Sequence, residues 1–328
     1  MKLHAEAEKK YMRGAVRGFL SVYRFITLLC IGVIILFPVF NMLTIAVRPL
    51  NQLADPTVVW IPKSLTMENM EVAWEALDYG RAAVNSVFMS ISSTILQLVS
   101  CSMAGYGFAR FRFKGREFLF MLVLFTILVP PQTIIIPKYL GYWQFDYFGI
   151  GSLFELVTGT GLKTNLLGSH WVMLIPALLG NGIRSGLFIY IFRQSFRGMP
   201  RELEEAAYID GCGPFRAFVK VMIPGASTTF VTVMIFSVVW YWNDYLNTSM
   251  FMSSIPTVSN KLSILKNTLQ QMFFLADTSK FGSADMNPYR ISAALQSGCL
   301  LAILPLLVMY LFMSRYFTES IDRTGIVG

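Results

Sequence analysis

The sequence predicts an all-α polytopic membrane protein with six transmembrane helices, and three observations carry that prediction. Only 14% of its 328 residues are charged, against about 25% in an ordinary soluble domain. Hydrophobic residues make up 55% of the chain, and the mean hydropathy is +0.55. Six apolar stretches lie at about 20–47, 83–109, 117–138, 169–194, 217–247 and 291–317, each long enough for the roughly 20 residues that a bilayer crossing requires.

Residues 1–24 form a basic amino-terminal segment with Lys9, Lys10, Arg13, Arg17 and Arg24, and the membrane domain follows over 25–328. The apolar run from Phe25 to Val47 exceeds the roughly 7–15 residues of a signal-peptide core, so it is expected to stay as the first span. Asn85 and Ser86 open the second span. Pro130-Pro131 should break or kink the third, because proline removes a helical hydrogen bond and clashes with the preceding turn. Gly180-Asn181-Gly182 and Arg184 interrupt the fourth. The fifth contains Pro224 and runs into Trp240-Tyr241-Trp242-Asn243-Asp244. Helix breaks at membrane depth survive only where protein or a water-filled cavity covers the freed backbone groups. Several in one chain suit a transport pathway better than an anchor.

The connections at 48–82 (with Trp60 and Trp74), 139–168 and 248–290 are long, and Lys261 to Phe274 carries the pattern of a short amphipathic helix. Seventeen of the 27 lysines and arginines fall before the first span, between spans two and three, between four and five, and after the sixth. The positive-inside rule then puts both termini and the loop at 197–216 in the cytoplasm. The net charge of +8 is therefore a topology signal and not a nucleic-acid footprint.

Other chemistries find little support. Cys30, Cys101, Cys212 and Cys299 form no CxxC pair, so a disulfide framework or zinc site is not expected. His4 belongs to the tail, and His170 is read as interfacial. No paired carboxylates mark a catalytic centre, and no metal-ligand cluster is present. The acids lie almost wholly in loops, whereas an ion-coupled transporter needs them along its spans. No GxxxxGK[ST] loop is present, so any ATP must be bound elsewhere.

The polar island from Pro200 to Pro224 stands out. Pro200 suits a first helical position, and Glu202, Glu204 and Glu205 complement the positive end of the helix dipole. Leu203, Ala206, Ala207 and Asp210 recur at i, i+3, i+4 and i+7, one face that is small in its middle and open to a close-approaching partner. Gly211 and Gly213 end the helix, and Pro214 starts the next.

Glu205-Ala206-Ala207, Asp210-Gly211 and Ile223-Pro224 resemble the EAA loop of ABC-importer permeases. Ala104 to Arg116 (AGYGFARFRFKGR), Trp242 to Leu246 (WNDYL), Arg315-Tyr316-Phe317 and the terminal Gly325 to Gly328 are similar to the carbohydrate-type members, specifically the subunit that pairs with a second permease in maltose-like importers. Cys212, Thr228 and a longer segment at 145–168 depart from the usual pattern. The resemblance implies a type I importer permease fold with a cytoplasmic coupling helix. It implies Glu205, Ala206, Ala207, Asp210, Gly211 and Pro224 as the residues that couple to an ATPase. The implied partners are a second permease, a pair of ABC ATPases that use ATP and Mg, an extracellular solute-binding protein, and a di- or oligosaccharide. This chain itself would bind no cofactor and hydrolyse nothing. An amino acid, peptide or phosphonate cargo is the alternative.

Trp240, Trp242, Asn243 and Asp244 combine aromatic faces with hydrogen-bonding groups, the chemistry that binds sugars. An aromatic belt at the membrane boundary is the other reading of the same residues. Arg184 is costly at a helix centre. It is expected to pair with a carbonyl, the alternative being an anionic substrate.

Overall fold

The computed structural model describes residues 2–55, 57, 61–158, 163–275 and 287–324. Among these the chain is helical, with one isolated antiparallel bridge between Phe145 and Thr164. The helices are α1 (Lys2–Ala46), α2 (Leu50–Leu53), α3 (Glu68–Leu77), α4 (Tyr79–Arg110), α5 (Arg116–Leu128), α6 (Ile135–Trp143), α7 (Ile150–Thr158), α8 (Trp171–Leu178) and α9 (Ser185–Gly198). They continue as α10 (Glu202–Ile209), α11 (Pro214–Ala217), α12 (Ile223–Gly225), α13 (Ser227–Trp242), α14 (Leu246–Phe251), α15 (Val258–Leu275) and α16 (Pro288–Thr324). Contacts group them into two compact units, one of 1–73 with 269–301, the other of 74–268 with 302–328.

In the first unit, α1 runs unbroken through residue 24, so the basic segment and the first apolar run share one helix. Its side chains from Phe19 to Phe40 lie largely exposed, as lipid-facing residues do. Buried Asn69 donates to the carbonyls of Ala46 and Arg48 at 3.2 and 2.8 Å, which satisfies the chain just past the end of α1. Arg290 bonds Glu68 at 2.6 Å, and its guanidinium rests over Phe273.

The second unit is built around α4, which packs against α8, α9 and α13. Gly105 permits this: a Cβ there would stand 2.5 Å from Phe192 Cβ and 3.0 Å from the Arg193 amide nitrogen. Small residues at such crossings are what lets helices approach closely where lipid gives no hydrophobic drive. Leu98, Phe188, Phe192, Phe196, Phe218 and Met222 fill the core between them. Asn85 donates to Pro256 O, and Ser86 accepts from the Val258 amide, so this pair, about two turns into α4, ties down the start of α15.

Alone, α1, α4 and α16 are long and apolar enough to cross a membrane, and up to five crossings result if each bent pair is one span. The third expected span bends by 102° between α5 and the segment from Pro131. Pro130 is extended there, and Pro131 starts a 3-10 turn over Pro131–Ile134 that α6 continues. The fifth contains a π-helical turn over Phe218–Met222 and bends by 79° after Gly225. The fourth is split outright between Leu179 and Arg184, with Gly180 at φ +71° and Arg184 at φ +58°. Its halves, α8 and α9, have eight and 14 residues. The connection at 139–168 is more ordered than its glycines suggest, since α7 and the Phe145–Thr164 bridge lie in it. The amphipathic stretch at 261–274 belongs to a longer helix, the 18-residue α15. Trp60 and Gly325 to Gly328 lie outside the described residues.

Candidate functional site

Polar side chains close the break between α8 and α9. Gln97 donates to Ile183 O at 2.7 Å and to Ser185 Oγ at 2.8 Å, and Ser100 donates to Ala177 O at 2.6 Å. The Tyr241 hydroxyl accepts from the Ile183 amide at 3.3 Å. Ser237 joins the network through Gln97 Oε1 and Thr94. These bonds take up backbone groups that the broken helix leaves free. Beside them opens a cavity of about 370 Å³, lined by Pro131 and Lys138 from the third stretch, by 180–187 from the fourth, and by Tyr241 and Asn247. Its size falls in the range of small-molecule sites, about 300–1,000 Å³.

The four residues singled out from the fifth span do not converge on this cavity. Trp240 is half-buried and stacks on Phe188 at 5.3 Å between ring centroids. Trp242 is buried and donates its indole N–H to Ala302 O at 3.1 Å. Asn243 donates back to Val239 O. The Asp244 carboxylate caps α14, accepting from Asn247 Nδ2 at 2.8 Å and from the Thr248 amide at 3.1 Å. Trp242 and Asn243 line a separate groove of about 240 Å³ with Tyr245, Ser259 and Ala302. Of the same segment, Tyr241 and Asn247 face the larger cavity. The carbonyl partner expected for Arg184 is replaced by a ring: its guanidinium lies 5.6 Å from the Trp240 centroid. His170 packs edge-on against Phe88.

The second feature is α10. It starts at Glu202 with Arg201 as its cap residue, so Pro200 precedes the first turn and does not occupy the first helical position. Gly211 has φ +81°, where only glycine is unstrained, and Pro214 begins α11, as the sequence predicts. The expected face is divided. Leu203, Ala206 and Asp210 are exposed with Glu205, while Ala207 turns inward and is 6% exposed. The inward register belongs to Glu204, three residues earlier and also buried.

Glu204 is the residue that sequence reasoning missed. Its Oε1 accepts from the Tyr106 and Tyr208 hydroxyls at 2.5 and 2.8 Å. Its Oε2 lies 3.3 Å from Arg110 Nε, an ion pair without a formal hydrogen bond. Arg110 also donates to Met199 O at 2.9 Å. Burial first, and then donation to Glu204, raise the Tyr208 phenol above its ordinary value. Nearby, Arg193 bonds Glu117 at 3.1 Å and sits 3.7 Å over the Phe120 ring. A carboxylate one position before Glu205 and an arginine closing the second span were the available signals.

A cavity at a split membrane helix and, elsewhere in the same helical chain, a short acidic surface helix held from one side only are features of a type I importer permease fold. The chain matches a solved structure titled as a bacterial ABC transporter involved in the import of the acidic polysaccharide alginate, with a TM-score of 0.70 and 17% identity. That match covers 91% of this chain and 96% of the other. The chain belongs to the family of binding-protein-dependent transport system inner membrane components, matched over residues 98–323. It is 28% identical to an arabinooligosaccharide transport system permease of Halalkalibacterium halodurans, over 91% of this chain and 93% of that one. It is 26% identical to a probable permease for starch degradation products of Thermoanaerobacterium thermosulfurigenes, over 80% and 81%. It is a multi-pass inner-membrane permease component of an ABC import system.

Proposed function

We propose that this chain is one of two permease subunits in an ATP-driven, binding-protein-dependent importer of a di- or oligosaccharide. The observation that carries the reading is the asymmetry of α10: Glu204 and Ala207 bind it to its own chain, while Glu205, Ala206 and Asp210 are left exposed. An exposed, acidic, small-residue face on a rigidly held helix suits docking into another protein's groove. Relatives named for arabinooligosaccharides and for melibiose, raffinose and stachyose support a saccharide cargo.

In this reading Glu205 makes polar or ionic contacts to an ATPase, Ala206 permits close approach, Ala207 backs the helix from within, Gly211 makes the turn that ends it, and Pro224 lies just before the bend that leads into α13. The partner ATPase pair holds ATP and Mg, and this chain holds neither. With six crossings, as the sequence reading expects, both termini share one side, and the positive-inside bias favours the cytoplasm for them and for the 197–216 loop. Residues 1–24 are the cytoplasmic segment and 25–328 the permease domain. An extracellular binding protein delivers the sugar. Transport follows from population shift: ATP and the loaded binding protein both favour the outward-open state. A swing from 1:99 to 99:1 needs about 5.5 kcal/mol of differential binding.

The test is purification from native membranes with an amino-terminal tag, then mass spectrometry and ATP-dependent uptake of labelled oligosaccharide. Recovery of a P-loop ATPase and a second permease is expected. A chain that emerges alone and transports without ATP would sink the reading.

A further inference from the structure

The cavity walls carry two cations, Lys138 and Arg184, and no aspartate or glutamate. Arg184 is exposed and has no carboxylate within ion-pair distance among the described residues. Its backbone is in the left-handed region, φ +58° and ψ 22°, a conformation that asparagine or glycine adopts with less strain than arginine. Strained non-glycine residues of this kind cluster at ligand sites, where the surroundings hold them in place. The Trp240 ring under the guanidinium orients the charge without neutralising it. Asp244 lies outside this lining, and hydrogen bonds within the α14 cap already occupy both of its oxygens. The cavity therefore has a net positive wall centred on Arg184. Intramembrane cations are costly and are kept where they serve a pathway.

We propose that this cavity is a subsite for an anionic sugar, a saccharide unit bearing a carboxylate, gripped by Arg184 with Lys138 as the second cation. A planar guanidinium matches a carboxylate with two parallel hydrogen bonds. Asn181, Asn247, Tyr142 and Tyr241 line the same space and offer partners for ring hydroxyls. The inference deepens the importer reading above and rests on it.

The test uses the full chain with its co-purifying subunits in nanodiscs, without binding protein, so that the cavity alone discriminates. Digalacturonate and its neutral methyl ester are titrated against tryptophan fluorescence, and inorganic phosphate is a third probe. The acid should bind on the order of tenfold or more tighter than the ester, since hydrogen bonds to charged groups are the stronger class. Arg184→Asn, which tolerates the left-handed backbone, should erase that ratio, and Arg184→Lys should restore part of it. Lys138→Gln should reduce it by a smaller factor. Equal binding of acid and ester, an unchanged ratio in Arg184→Asn, or phosphate binding as tightly as the acid would each overturn the proposal. The same subunits, moved into proteoliposomes together with their binding protein, are assayed for ATP-driven uptake of neutral oligosaccharides: loss of all uptake counts against the importer reading, while uptake without acid preference in the nanodisc titration counts against the anionic subsite alone.

Discussion

Glu204→Ala should release α10 from the rest of the chain. Helices shorter than about 12–15 residues are marginal by themselves in water, and α10 has eight residues. Its position depends on anchors to the rest of the chain, and Glu204 makes two of them, with Tyr106 and Arg110. The substitution removes the acceptor shared by Tyr106 and Tyr208. It also strands Arg110, whose side chain is 6% exposed, with Met199 O as its remaining named partner. Removing one member of a buried ion pair costs about 3–5 kcal/mol, because the other charge stays desolvated. At about 1.4 kcal/mol per factor of ten, local opening of 202–209 should become more populated by about two to four orders of magnitude. Hydrogen exchange of the full chain in nanodiscs reads this directly as faster exchange confined to those amides. Glu204→Gln, which keeps an oxygen acceptor and loses the charge, should fall between. Glu205→Ala is the control, since Glu205 is exposed. Exchange in Glu204→Ala within a few-fold of the parent, or equal loosening by Glu205→Ala, would refute the anchoring argument.

Three further outcomes follow from the geometry. Glu205→Lys and Gly211→Asp should abolish uptake while leaving membrane insertion intact, the first by reversing charge on the exposed face, the second by placing a side chain at φ +81°; normal uptake would remove the docking role. Trp242→Phe should lower thermal stability by about 1 kcal/mol by removing the indole N–H bond to the Ala302 carbonyl, with sugar preference unchanged; a changed preference in binding assays would return Trp242 to the substrate path. Gly105→Ala should cost about 1–3 kcal/mol by forcing α4 away from α9, whereas Gly107→Ala, with open space around it, should be close to neutral in the same melting experiment.

The long apolar helices were legible because each reports its own environment: α1, α4 and α16 are apolar over enough length to need no partner to be recognised. Pro130-Pro131 and Gly180-Asn181-Gly182 marked breaks for local backbone reasons that hold in any fold. The consequences of those breaks were not legible. Which side chains close them depends on residues far away in sequence, such as Gln97 reaching Ile183 across 86 positions. The face of α10 was misjudged for a related reason. Periodicity grouped Ala207 with Leu203 and Asp210, but the buried register is set by Glu204 meeting Arg110 and Tyr106, a choice that helical spacing alone does not encode. The aromatic run at 240–242 shows the same limit. Consecutive residues on a helix point in different directions, so Trp240, Tyr241 and Trp242 serve a cation contact, a cavity wall and a backbone bond respectively.

The account's central claim is that the exposed side of α10 is where another protein drives this permease. A photo-reactive amino acid at position 205, introduced into the full chain in native membranes, tests it most directly, with position 99, on the exposed side of α4, as the control. Cross-linking from 205 to a P-loop ATPase, changed by ATP and absent from 99, is the expected result. Capture of no ATPase from 205, or equal capture from 99, would contradict the claim.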